Sequence, residues 1–423
     1  MKFVKNFNFY FFIFTYSIIL LAIFYLYQKH LIGNDSTISE WIINYQGGFT
    51  RRGLIGEICF KIANYFELSL RFVIFLFQST VYFIYMLLIY SYLKNLPKNV
   101  LTIIAIYSPI FLLYPIAEIE VLARKEIFLF IGFIIFLKLS GLNVPKNFSL
   151  IYIFLVFPII CLIWEPFVFL FPFAIYVILL QHREDSFKRI ILKIFLTFSS
   201  SIATFIYIIF NLLTPEGHEI MANSLMNNFG EVCYMSCGLL KDKSSIKSQF
   251  DGVLVNLSLT VFIRYFFIML IGFLPLLTLY YNSKIKEKIF FFNKIDNLFL
   301  MILILLSPSL ILFSAATDWG RWVNITYTFS VLLYFFLIKN DYLYTSSNLL
   351  FFDNFYNNKK ILFFIIFIIF AFGWNQKTAM TGDIATNTGY KILYNTSKRI
   401  FNFGGIRLFQ NNPIIKFHKK YIE

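Results

Sequence analysis

Residues 8–27 read NFYFFIFTYSIILLAIFYLY: twenty positions without a charge, enough as a helix to cross a hydrocarbon core of about 30 Å. Lys2 and Lys5 precede the run, which is too long for the apolar region of a signal peptide and lacks a small-residue cleavage site. It reads as a retained anchor. Working outward, comparable runs predict eleven spans, at about 8–27, 68–93, 99–113, 126–138, 148–164, 166–180, 192–212, 258–281, 297–315, 323–338 and 361–374. Those at 126–138 and 361–374 are short, as tilted or re-entrant segments are. Lipid offers no partner to open backbone groups, and no alternating ten-residue strand pattern occurs, so the expected fold is an all-α polytopic helical bundle.

Composition agrees. Of 423 residues 59% are hydrophobic and only 14% charged, where soluble domains carry about 25%. A soluble enzyme, a disordered chain and a disulfide-built mini-protein are excluded. The formal charge of +15 suggests nucleic acid until it is sorted by the spans. With a cytoplasmic N-terminus, the inner segments hold 17 Lys and Arg against 6 Asp and Glu, including Lys94, Lys98, Lys138, Lys146, Lys188, Lys284 and Lys359. Such sorting is the positive-inside bias, so the charge sets orientation and calls for no nucleic-acid partner. One membrane domain, 1–374, is expected, with a long outer loop at about 213–256. A basic tail, 375–423, falls outside on this count. The expected place is the bacterial inner (cytoplasmic) membrane.

The inner loops carry no P-loop, dinucleotide turn, HExxH or paired CxxC signature, and no metal site is predicted. The outer segments are richer. The first, Gly33 to Ile58, holds Asp35, Glu40, a Gly47-Gly48 turn, Arg51 and Arg52, and runs into LIGEICFKIANYF, whose apolar spacing suits an interfacial helix. The second, IAEIEVLARKE, packs Glu118, Glu120, Arg124, Lys125 and Glu126 into nine residues. Glu165 sits in a tight hairpin, and TDWGRW places Asp318 and Arg321 between two apolar helices. In the long loop, Cys233 and Cys237 can form a local disulfide in an oxidising compartment, ahead of free thiols, while Cys59 and Cys161 read as apolar filler. Trp, Tyr and Arg at span ends also serve as interface anchors, and His218 alone reads as a loop residue. Convergence outweighs these readings: five of ten arginines (51, 52, 124, 264 and 321) fall outside with the clustered carboxylates.

Arginine beside carboxylate at the outer boundary suits a membrane-embedded anion such as a lipid-linked sugar. Arg51, Arg52, Arg124 and Arg321 would grip its phosphate, Asp35 or Glu40 would take the acceptor's proton, and Glu118, Glu165 and Asp318 would support them. A cytoplasmic N-terminus, about eleven spans, and an acidic first outer loop followed by an interfacial helix resemble the GT-C glycosyltransferases. The resemblance implies a catalytic acid in that loop, matched by Asp35 and Glu40, and a polyprenyl-phosphate-linked donor with a glycan acceptor. The chain also looks like O-antigen and capsular polysaccharide polymerases, although its long loop has no Arg in the place of their Arg- and His-containing motifs. The cofactor is left open, a divalent cation being one candidate. A transporter or flippase of lipid-linked saccharides and a non-catalytic scaffold subunit are the rival readings.

Overall fold

The computed structural model describes residues 7–31, 35–94, 96, 99–241, 246–286, 298–345 and 350–382. Most of the predicted tail lies outside these residues, as do Lys98, Lys288 and Lys294. Seven described helices are long and apolar enough to cross a membrane: α1 (Phe7–His30), α4 (Leu70–Leu93), α8 (Lys146–Ile163), α10 (Phe187–Phe210), α13 (Leu259–Tyr281), the pair α14 (Leu298–Leu306) and α15 (Leu310–Ala315), and α16 (Trp319–Lys339). An eighth is counted if α17 (Leu350–Asn358) and α18 (Lys360–Phe372), bent by 117°, form one span. The chain is an all-α, multi-pass membrane bundle, with short helices α2 (Ser36–Trp41) and α3 (Gly53–Tyr65) between α1 and α4. Two further apolar pieces are shorter than a full crossing: α7 (Ile127–Leu139), and Glu165–Gln181, a 3-10 turn leading into α9 (Phe171–Gln181).

Burial explains the arrangement. α16 carries Asn324, Thr326, Thr328 and Ser330 along an otherwise apolar helix, and polar groups facing lipid are expensive. Accordingly, every residue from Gly320 to Leu337 is buried. Thr326, Thr328 and Ser330 satisfy their hydroxyls on carbonyls four residues back, each at 2.7 Å.

The predicted 99–113 span is broken. Its helix α5 (Val100–Ile106) stops after seven residues, and turns lead to α6 (Tyr114–Ala117). The opened carbonyls find partners on α16: Tyr327 Oη donates to Ala105 O (2.7 Å), and Asn324 Nδ2 to Ile110 O (2.8 Å) and Phe111 O (3.1 Å). Ser108 donates to Gly272 O at 2.9 Å, and a Cβ on Gly272 would lie 2.7 Å from Ile110. Irregular backbone is tolerated at this depth because protein surrounds it. Partner numbers on α16 fall as this segment's rise, so the two run antiparallel.

The bundle has two unlike ends. At one, Lys138 reaches Ser91, Lys193 pairs with Asp185, and strands β1 (Ser283–Ile285) and β2 (Leu343–Thr345) tie α13 to α16. At the other lie the end of α1, α2, α3, Glu118–Glu126 and the start of α16. Residues 376–380 strap this end: Gln376 Nε2 donates to Gly320 O (2.8 Å), Gly320 N to Thr378 O (3.1 Å), and Met380 N to Thr317 O (2.7 Å). A Cβ on Gly320 would meet Lys377 O, so glycine lets the strap lie against α16.

Candidate functional site

Asp35 is the N-cap of α2; its carboxylate accepts from Thr37 N (2.8 Å) and pairs with Lys29 (3.3 Å). Burial alone would raise this carboxyl, but Lys29 and the Thr37 bonds bring it below its ordinary value. One turn on, Trp41 is fully buried and donates from Nε1 to Ala123 O (3.1 Å). That anchor fixes Glu40 inside the bundle's end, 1% exposed. The following loop is pinned by Glu57, which accepts from Tyr45 N (2.9 Å) and Gln46 Nε2 (3.0 Å). Gly56 lets α3 pack on that loop, since a Cβ there would fall 1.8 Å from Ile43 O. Arg52, in the left-handed region at φ 63°, then opens α3 and makes a two-pronged bond to Glu165 (2.8 and 2.7 Å). Arg51 stands 3.8 Å from the same carboxylate.

The centre is an ion network drawn from three distant segments. Arg124 and Arg321 converge on one oxygen, Glu40 Oε1, each at 3.2 Å. Arg321 Nε donates to Glu126 Oε1 (2.6 Å), and its Nη1 to Asp318 Oδ2 (2.6 Å), which is 3.8 Å from Arg124. The Arg321 guanidinium also lies 5.4 Å from the centre of the Trp322 ring, and Trp322 packs on Trp164. Lys125, fully buried, donates to Arg52 O. Burial opposes the charge on Glu40, yet Arg321, Arg124, Arg52 and Lys125 outweigh it and hold the carboxyl at about 2. Burial brings Lys125 down to about 8. Burial would raise Glu165 too, but Arg52 and Arg51 keep it low.

Beside this network opens a cavity of about 630 Å³, within the ordinary range for ligand sites. Glu40, Arg51, Arg52, Arg124, Asp318 and Arg321 line it, faced by Met235, Ser236, Gly238, Leu239 and Leu240 of the long loop. That loop is closed by a Cys233–Cys237 disulfide and leans on His218, whose Nε2 is 3.2 Å from Cys237 O. Cys59 and Cys161 are free and buried. A smaller void of about 30 Å³, room for one water, lies behind Arg321 and Glu126 among Tyr82, Tyr85 and Asn324.

Six of the predicted site residues thus share one cavity, with Glu165 bracing two of its arginines. Asp35 caps a helix instead and does not line the cavity. Glu118 lies under the strap, paired with Lys377 (3.0 Å). Arg264 joins the same strap through Gly382 O. Sequence reasoning left out Glu126 and Lys125, although both stood in its charged second segment. His218, Cys233 and Cys237 come together, but with both sulfurs in the disulfide neither is a thiolate ligand. A divalent cation suits the cavity poorly as well, because Glu40 and Asp318 already face guanidiniums and four arginines would repel it. Comparison with known protein families, characterised proteins and solved structures found no match.

Proposed function

We propose that the chain is a membrane-embedded glycosyltransferase or polymerase that acts at the outer face on a polyprenyl-phosphate-linked sugar, in cell-surface polysaccharide synthesis. One observation carries this reading: four arginines line a cavity at one end of a membrane bundle, where a phosphate at the lipid boundary would meet them. Arginine binds phosphate oxygens through paired N–H donors, and the lipid tail would remain among the helices. The cavity lies at one end of the bundle and not at its middle, which favours chemistry over transport through it.

On this reading the chain crosses eleven times with a cytoplasmic N-terminus. Its four short or broken crossings would be the predicted spans at 99–113, 126–138, 166–180 and 361–374, and two of these have a contact near each end. Glu126 meets Arg321 while Lys138 meets Ser91, and Glu165 meets Arg52 while Gln181 meets Ser140. Cysteines placed at Lys188 and Glu219 should then react with a membrane-impermeant maleimide from opposite sides.

The deciding experiment supplies the purified full chain, in proteoliposomes, with the lipid-linked saccharide pool extracted from cells lacking it. Wild type should release polyprenyl phosphate or diphosphate and form new glycan. Arg51→Gln should raise the half-saturating donor concentration about tenfold, worth ~1.4 kcal/mol, because Arg51 touches Glu165 only at 3.8 Å and leaves no buried acid unpaired when removed. No release and no glycan from wild type would end the reading.

A further inference from the structure

Two carboxylates line the cavity, and they are unequal. Glu40 is 1% exposed and has two guanidiniums on Oε1; its Oε2 has no hydrogen-bond partner among the described residues but is sealed from solvent, which makes it a poor proton acceptor. Asp318 is 32% exposed, and both of its guanidinium contacts fall on Oδ2. Among the described residues no hydrogen bond ends on Oδ1. The residue is also held still: Met380 binds Thr317 O, Thr378 O accepts from Gly320 N, and Arg321 N donates to Asp318 O (2.9 Å). A catalytic group needs such support to keep its geometry.

Building on the glycosyl-transfer reading, we infer that Asp318 is the catalytic base, and that Glu40 positions Arg124 and Arg321. The acceptor hydroxyl oxygen attacks the anomeric carbon as the bond from that carbon to the phosphate oxygen breaks. The electron pair leaves with the lipid phosphate, held by Arg51 and Arg52, and the hydroxyl proton passes to Asp318 Oδ1. The base therefore comes from the loop before α16, and the first outer loop supplies the grip on the leaving group.

The same proteoliposome assay tests this, with Asp318→Asn, Asp318→Glu and Glu40→Gln beside wild type, each first checked for folding by size-exclusion profile. Asp318→Asn should lower kcat at least ~100-fold, the scale of general-base catalysis, while the donor KM moves less than about threefold. Asp318→Glu should restore part of kcat, and Glu40→Gln should act mainly on KM. If Asp318 served only to orient Arg321, its loss would raise KM and spare kcat, and the assignment would be overturned. An inactive Glu40→Gln beside an active Asp318→Asn would overturn it equally. Neither result would touch the wider reading, which falls only if wild type itself transfers nothing.

Discussion

Both ends of this bundle are studded with charge, but water reaches them differently. At the lysine-rich end the ion pairs are small and wetter: Lys193 with Asp185, which also meets His182, or Lys286 with Asp341, whose carboxylate is 82% exposed. At the opposite end Glu40, Arg124, Glu126 and Arg321 are each less than 9% exposed and share one network. Lysine, a compact and strongly hydrated point charge, suits the first setting. Arginine's planar fork can satisfy several carboxylates at once and suits the second. On the proposed reading the lysines mark which way the protein sits, and the arginines build a place for the lipid-linked phosphate.

The sharpest way to break that contrast is to remove the hub. Arg321→Met should leave Glu126 and Glu40 buried with too little positive charge, at about 3–5 kcal/mol of stability. Unfolding in detergent, followed by tryptophan fluorescence, should show the loss, and adding Glu126→Gln should recover part of it. A melting curve like that of wild type would show the network to be no more than a surface feature.

Next in size is a pH effect beneath the strap. Burial raises Glu118 to about 7, against an ordinary value of about 4.5, with Lys377 pulling the other way. The folded state therefore holds this proton more tightly than the unfolded one. The resulting stability is fully present below about pH 4.5 and lost as pH rises through about 7. The expected size is at most roughly 3 kcal/mol. Glu118→Gln should flatten the wild-type decline in thermal midpoint between pH 5 and 8. An unchanged slope in that variant would place the titrating group elsewhere.

How much of this was legible in the sequence differs between the two ends. The lysine-rich end could be read from composition and spacing, because hydropathy and charge sorting are local properties. The other end could be read only as far as scarcity allowed: ten arginines in 423 residues made each one worth noting, and the five singled out lie at this end together with Arg71, which pairs with Glu231. What brings Arg321 to Glu40 is a contact across 281 positions, which no local pattern encodes. The same holds for the broken span, whose apolar run looks like one helix until Asn324 and Tyr327 supply its missing bonds. Asp35 did carry a usable signal. An Asp directly before a short helical run is a preferred N-cap, and that role separates it from Glu40.

The disulfide loop offers a middle-sized test at the cavity rim. Replacing Cys233 and Cys237 together by Ala frees a short loop, and chain entropy assigns about 2 kcal/mol to such a closure. Amide exchange across residues 231–241 should quicken strongly while the core helix α16 stays protected. Equal quickening in α16 would mean that the loop supports the whole network and does not merely wall the cavity.

The smallest expected effect sharpens the comparison from its wet side. Lys286→Ala removes a 2.6 Å pair to Asp341 and a contact over the Tyr344 ring. By distance alone this pair is as close as Arg321 to Asp318. Distance is a poor guide here, because water and salt screen the exposed partner and the long side chain gives up entropy to reach it. The loss should be at most about 1 kcal/mol, and smaller still at high salt. Arg321 and Lys286 melted side by side at two ionic strengths would thus separate geometry from burial. A salt-independent loss of several kcal/mol at Lys286 would mean that the lysine-rich end is also a built site, and the contrast between the two ends would disappear.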